Sequence, residues 1–109
     1  MMVYIAGPLT PKDGYTLEDN IEQAAAEYFK FVAAGVPAFC PQLGATLQAT
    51  FSVDYEIWMR YDFAVIDLCT HVLMLPRWEA SFGACREHEY ATLKGKDIIY
   101  SAEALIGAR

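Results

Sequence analysis

Basic residues are scarce in this chain. Eight Lys and Arg stand against fourteen Asp and Glu, a formal net charge of −6, whereas a protein that grips nucleic-acid polymers nonspecifically needs clustered cations to displace phosphate counterions. That balance argues against a polymer ligand and leaves a small one open. Cysteine is sparse too. Cys40, Cys69 and Cys85 are odd in number, far apart and without a Cys-x-x-Cys pair, so neither a disulfide framework nor a zinc or redox motif is present. His71 and His88 fall at no metal-ligand spacing with them, and Cys69-Thr70-His71 alone is a poor ligand set; no metal and no cofactor is expected. No apolar run approaches the ~20 residues of a membrane-spanning helix. The N-terminus also lacks a basic stretch followed by a signal-like apolar core, so the expectation is a cytoplasmic protein without a membrane partner. Neither Gly-x-x-x-x-Gly-Lys-Ser/Thr nor Gly-x-Gly-x-x-Gly occurs.

What is present is globular. Apolar residues make up 55% of the chain and charged ones 20%, and 109 residues fit one domain, 1–109, able to bury a core without disulfides or metal. The opening Met1-Met2-Val3-Tyr4-Ile5-Ala6 is too short for a helix and is stopped by Gly7-Pro8, which reads as a first, central strand. Residues 7–16, with two glycines, two prolines and two threonines, form a loop able to offer backbone amides and a hydroxyl to a phosphate; as a bare loop it reads equally as a connection. Leu17 to Ala34 reads as an amphipathic helix capped by Thr16, with Glu18 and Asp19 at its positive end and an apolar face of Ile21, Ala24, Ala25, Tyr28, Phe29 and Val32. Val36 to Cys40 is a second strand whose Pro37 suits an edge. Residues 41–52 are polar and small and read as a long lid or binding loop. A helix starting at Ser52 or Asp54 and running to Leu68 then carries Asp62 among apolar neighbours. That residue reads either as a surface carboxylate or as an acid in a cleft with a raised pKa.

His71 to Pro76 is an apolar strand, and the stretch after it is the focus of the chain. Ser81 is a plausible N-cap, and Lys94-Gly95-Lys96 closes the far end of the helix that follows. Glu87 shares one helix face with Ala84 and Ala91, at i−3 and i+4. Such a carboxylate, on a face kept clear by alanines, suits a ligand; a solvated glutamate on an outer helix is the alternative. Glu89 lies about 200° away around the helix, given ~3.6 residues per turn, and cannot serve the same site. Asp97 to Tyr100 is a fourth strand, and 101–106 a last turn or two of helix. The order βαβαβαβα predicts an α/β fold: a single-domain, doubly wound, mostly parallel sheet of four or five strands, flavodoxin/Rossmann-like. In such a sheet Tyr4, the 7–16 loop and the 77–87 segment meet in one crevice at the carboxyl ends of the first and third strands.

Three pieces together, Tyr4-Ile5-Ala6-Gly7-Pro8, Asp62, and Trp78-x-x-Ser81-x-Gly83-x-x-x-Glu87-x-x-x-Ala91, resemble the nucleoside 2-deoxyribosyltransferase superfamily. The likeness is greatest to its short members: uncharacterised domains opening on the same Tyr-Ile-Ala-Gly-Pro, and nucleotide N-glycosidases that act on nucleoside 5′-monophosphates. The resemblance implies that Glu87 is a carboxylate nucleophile, that Tyr4 hydrogen-bonds and orients it, and that Asp62 carries a proton for the leaving base or the sugar. It also implies that Ser81 and the Gly83 amide, with Gly7, Pro8, Leu9 and Thr10, hold a 5′-phosphate. Trp78 reads either as a ring stacking on the base or as packing of the loop against the sheet. A glycosidic C–N bond breaks through an oxocarbenium-like transition state, which a carboxylate beneath the anomeric carbon stabilises and then traps. Thr70 stands where many relatives carry an aspartate, and no match is seen for the C-terminal residues of the longer transferases. The expected activity is therefore hydrolysis, with base transfer or a non-catalytic nucleotide-binding module as alternatives. The resemblance further implies a homodimer or higher homo-oligomer.

Overall fold

Val3, Tyr4, Ile5 and Ala6 have no solvent exposure at all, a pattern expected of a strand paired on both edges and covered on both faces. The computed structural model describes residues 1–107; Ala108 and Arg109, part of the expected 1–109 domain, lie outside the described residues. Strand β1 (Val3–Ala6) pairs in parallel with β2 (Ala38–Phe39) on one side and with β3 (His71–Met74) on the other, and β3 in turn pairs in parallel with β4 (Asp97–Ile99). The sheet order is β2-β1-β3-β4. This is the expected α/β architecture, with four strands and every pair parallel.

Helices α1 (Leu17–Ala33), α2 (Ala45–Thr50), α3 (Tyr55–Leu68), α4 (Phe82–Leu93) and α5 (Glu103–Ile106) complete it. Alternation along the strands decides what faces what. Val3, Ile5, Leu73 and Leu75 pack with Ala24 and Phe31 of α1 and with Leu105 and Ile106 of α5. Tyr4, Ala6, Val72 and Met74 point the other way, into Ile66 of α3 and Ala84 and Ala91 of α4. The parity of one residue thus sends the Tyr4 side chain to the α3/α4 face. From β1 the chain winds to one edge of the sheet and from β3 to the other, so the switch point of the topology lies between their carboxyl ends. Gly7 sits at that point. A Cβ there would lie 2.6 Å from Leu75 Cδ1 and 2.7 Å from Leu75 Cβ, so only glycine lets the end of β1 come this close to the chain leaving β3.

Two expectations are corrected. The buried stripe of α1 runs through Asn20, Ala24 and Phe31, while Phe29 is 67% exposed and Val32 is 50% exposed. The helix carries two rival apolar stripes near its end. Phe29 and Phe31 are about 200° apart around it at ~3.6 residues per turn, so one sheet can take only one of them. Residues 41–52 are not a loop but a 3₁₀ turn (Pro41–Gly44) leading into α2. Ala, Leu and Gln favour helix even where no apolar periodicity announces it. Of the two starts expected for α3, the structure uses Asp54 as N-cap, through its backbone carbonyl and not its side chain.

Candidate active site

The site is assembled from β1, α3 and α4. Glu87 is 6% exposed and shares its inward face with the buried Ala84 and Ala91, as the i−3/i+4 spacing predicted. The outer-helix reading is excluded by that burial. The Tyr4 hydroxyl donates to Glu87 Oε2. Asp62, from α3, lies close enough that its charge bears on both Glu87 and Tyr4. Two carboxyl groups held this close repel when both are ionised, which favours a proton on one of them. Burial accounts for its retention: desolvation pushes Glu87 up to about 8 and Asp62 up to about 6. The Tyr4 hydroxyl opposes the shift at Glu87 by donating to its charged form, whereas the neighbouring Asp62 adds to it. Tyr4 itself is held well above the ordinary phenol value by burial first and then by the two carboxyls. The arrangement sets two carboxyls of raised pKa, one buried and one half-buried, beside a fixed orienting donor.

A cleft opens in front of this trio. Its first lobe, of about 520 Å³, is lined by Glu87 and Asp62 together with Gly7, Phe39, Gln48 and Trp58 among others. Its second lobe, of about 640 Å³, takes in Pro8, Lys12, Asp13, Arg77 and Glu79. Leu9, Thr10, Tyr55, Ser81 and Gly83 line both lobes and so mark their junction. The amino end of α4 points at that junction. Ser81 Oγ accepts from the Ala84 amide at 3.2 Å, and the Ser81 amide is taken by Trp78. The Phe82 and Gly83 amides are the remaining first-turn donors, with no carbonyl one turn back to receive them. Anions are favoured at such an end.

The 7–16 loop is held over the second lobe by contacts that the sequence did not announce. Lys12 and Tyr15 exchange backbone hydrogen bonds of 3.2 and 3.0 Å around Asp13 and Gly14, both at positive φ, the signature of a tight type I′ hairpin turn. Asn20, buried in α1, donates to the carbonyls of Leu9 at 3.0 Å and Thr10 at 3.4 Å. Its Oδ1 accepts from Arg77 at 2.9 Å, and the Arg77 guanidinium lies over the Tyr15 ring at 3.5 Å from its centroid. Lys12 closes the far side by donating to the Ala80 carbonyl at 3.1 Å.

The structure therefore brings Tyr4, Asp62 and Glu87 together, and ranges Gly7, Pro8, Leu9, Thr10, Ser81 and Gly83 around the cleft. Tyr4 lies behind Glu87 and is not itself part of the cleft wall. Trp78 is a correction to the base-stacking reading. Its ring stacks on His88 at 4.5 Å and 22°, packs against the α3/α4 core, and lines neither lobe. The 3₁₀ turn Trp78–Ala80 lays it along α4, so packing of the loop is its role. The sequence reading missed Lys12, Asn20, Gln48, Trp58 and Arg77. One signal was available: Asn20 is a polar residue on the stripe of Ala24 and Phe31, and a buried amide on an apolar stripe needs partners. Arg77 gave none, since its positive φ of 70° is invisible in composition.

Residues 1–100 match the model of a family described as Domain of unknown function (DUF4406). Among curated proteins nothing matches the chain.

Proposed function

We propose that this chain, which belongs to the DUF4406 family, is a hydrolase that cleaves the N-glycosidic bond of a nucleoside 5′-monophosphate. The observation that carries the reading is the buried Tyr4–Glu87 pair with the half-buried Asp62 beside it, facing a cleft whose other end is the open amino terminus of α4. The likeness to the nucleoside 2-deoxyribosyltransferase superfamily supports it. In the reactive form Glu87 is ionised and accepts from Tyr4, while Asp62 holds the shared proton. Glu87 attacks the anomeric carbon as the C–N bond breaks; the bonding pair goes to the base nitrogen, and Asp62 protonates the base so that it leaves neutral. Water then attacks the glycosyl ester, Asp62 takes its proton, and Glu87 is freed, so that two displacements retain the anomeric configuration. Ser81, the Gly83 amide and the Gly7 to Thr10 segment hold the 5′-phosphate at the junction, and no cofactor is called for. Placement in the cytoplasm and assembly as a homodimer belong to the same reading.

Chromatography for free base, after incubation with ribo- and deoxyribonucleoside monophosphates, tests it. Base release that disappears in Glu87→Ala is the expected result, and no release from any nucleotide removes the proposal. Addition of a second free base separates hydrolysis from transfer, since only a transferase yields a new nucleotide. Because catalysis needs one proton on the pair, kcat/KM should follow a bell: it falls in acid as both carboxyls protonate and in alkali as both ionise. A second reading, a nucleotide-binding module without turnover, has one observation in its favour. Burial raises both carboxyls, and Glu87 is the more deeply buried of the two, which favours the neutral form of the intended nucleophile until a ligand shifts it. Saturable binding without base release would select that reading.

A further inference from the structure

A line of aromatic rings runs outward from the carboxylates. Phe39 stacks on Tyr4 with centroids 5.9 Å apart and planes at 25°, Tyr61 leans against Phe39 at 6.3 Å, and Trp58 meets Tyr61 edge-on at 6.1 Å. Phe39, Tyr61 and Trp58 line the first lobe. Because Tyr4 is bonded to Glu87, the line begins at the reacting end, beside which a base attached to the anomeric carbon must lie.

The two amide side chains that share the lobe are committed to the protein. Gln48 Oε1 accepts from Trp58 Nε1 and from the Val53 amide, the latter at 3.3 Å, and Gln48 Nε2 donates to the Val53 carbonyl at 3.1 Å and to Ser52 Oγ at 3.5 Å. That exhausts both lone pairs and both hydrogens of the amide. Gln42, buried, donates to the Ile5 carbonyl at 3.4 Å and accepts from the Cys40 thiol at 3.4 Å. A base entering this lobe meets the rings of Phe39, Tyr61 and Trp58, while the amides best suited to reading its edge are already bonded. A site built to hydrogen-bond a particular group rejects its absence by about 10⁴–10⁵-fold. Stacking gives no such ratio, because every base has a π face.

We infer that the first lobe recognises the nucleobase by its face and not by its edge, so that purine and pyrimidine nucleotides are accepted alike. The inference rests on the nucleotide reading above and adds the class of substrate to it. Gln48 is then a positioning residue: it fixes the Trp58 indole and ties residues 52 and 53 to α2, and reaches the base only through that ring. Selectivity among substrates follows how readily each base leaves once protonated.

The test uses the whole chain and four probes, the 5′-monophosphates of adenosine, guanosine, cytidine and uridine, titrated by tryptophan fluorescence. The Trp58→Phe protein separates the Trp58 signal from that of Trp78. All four probes should quench Trp58 with dissociation constants within about tenfold of one another, as face-on stacking requires. Gln48→Leu should weaken all four by a similar factor and keep their order. A hundredfold or greater preference for one base overturns the inference, as does a preference that vanishes in Gln48→Leu, which would make Gln48 an edge reader. Free base measured in the same samples keeps the two proposals apart. Binding of all four upholds face recognition, and the absence of release from these and from the corresponding deoxyribonucleotides removes the glycosidase. Release of one base together with a hundredfold tighter binding of its nucleotide does the reverse, and no Trp58 response to any probe removes face recognition.

Discussion

The amino ends of α1 and α4 are built from the same kind of residue to opposite purposes. At α1, Thr16 Oγ1 accepts from the Asp19 amide at 3.0 Å and Asp19 Oδ2 accepts from the Thr16 amide at 2.8 Å, with Glu18 beside them. That is a complete capping box with its own negative charge. At α4, Ser81 takes a single amide, no acidic residue lies in the first turn, and Phe82 and Gly83 face the cleft. One helix neutralises its positive end within the fold, and the other leaves that end open. The carboxylates divide the same way. Hydrogen bonding from Thr16 lowers Asp19, whereas burial raises Glu87 and Asp62. A group bound to stabilise its helix is held in its charged form; the groups at the cleft are held away from theirs.

The largest test of that contrast is chemical. Asp62→Asn should lower kcat by about 10²–10⁴-fold, the usual contribution of a positioned proton donor, and Glu87→Ala should lower it further, both read as base release. Next is Gly7→Ala, whose methyl group meets Leu75; overpacking of this kind costs about 1–3 kcal/mol, seen as a lower urea midpoint, with Leu75→Ala in the same chain recovering part of it. The third turns on pH. The raised folded-state pKa of Glu87 means that the folded chain binds the proton more tightly than the unfolded one. Stability therefore falls as pH rises from the ordinary carboxylate range towards about 8. Glu87→Gln should remove that fall and gain about 1–3 kcal/mol at pH 8, a Tm higher by several degrees, with little gain at pH 4. A Tm that drops at pH 8 would show that the charged form stabilises the fold.

The smallest effects separate the two caps. Thr16→Ala and Ser81→Ala should each cost about 1 kcal/mol in thermal or urea unfolding. Only Ser81→Ala should also raise KM for a nucleoside monophosphate while leaving the corresponding nucleoside unaffected. Equal effects on both substrates, or a KM change in Thr16→Ala, would break the comparison.

Much of the architecture was legible because it follows from short-range rules. Thr16 and Ser81 are caps where their spacing said so, Pro37 lies beside an edge strand, and Glu87 shares a buried face with Ala84 and Ala91. Short-range rules also set the limit. The helical pattern of α1 fits Phe29 as well as Phe31, and only contact with the sheet chose between them. Residues 41–52 looked like a loop because their sequence has no apolar stripe, and Gln48 links α2 to α3 through Trp58. Trp78 and Trp58 were indistinguishable as aromatic residues; one packs on His88 and the other lines the cleft.

By itself the sequence determined the kind of sheet, the order of its elements, the two caps, and which helix face Glu87 occupies, since periodicity and capping act within a few residues. Tertiary structure alone decided that Tyr4 bonds Glu87 and that Asp62 lies beside them. It also decided that Tyr4 and Glu87 are buried and that Asn20 and Arg77 pin the loop over the cleft. A pair of carboxyls set side by side from α3 and α4 depends on two helices packing on one sheet face at one register, and no local pattern carries that distance.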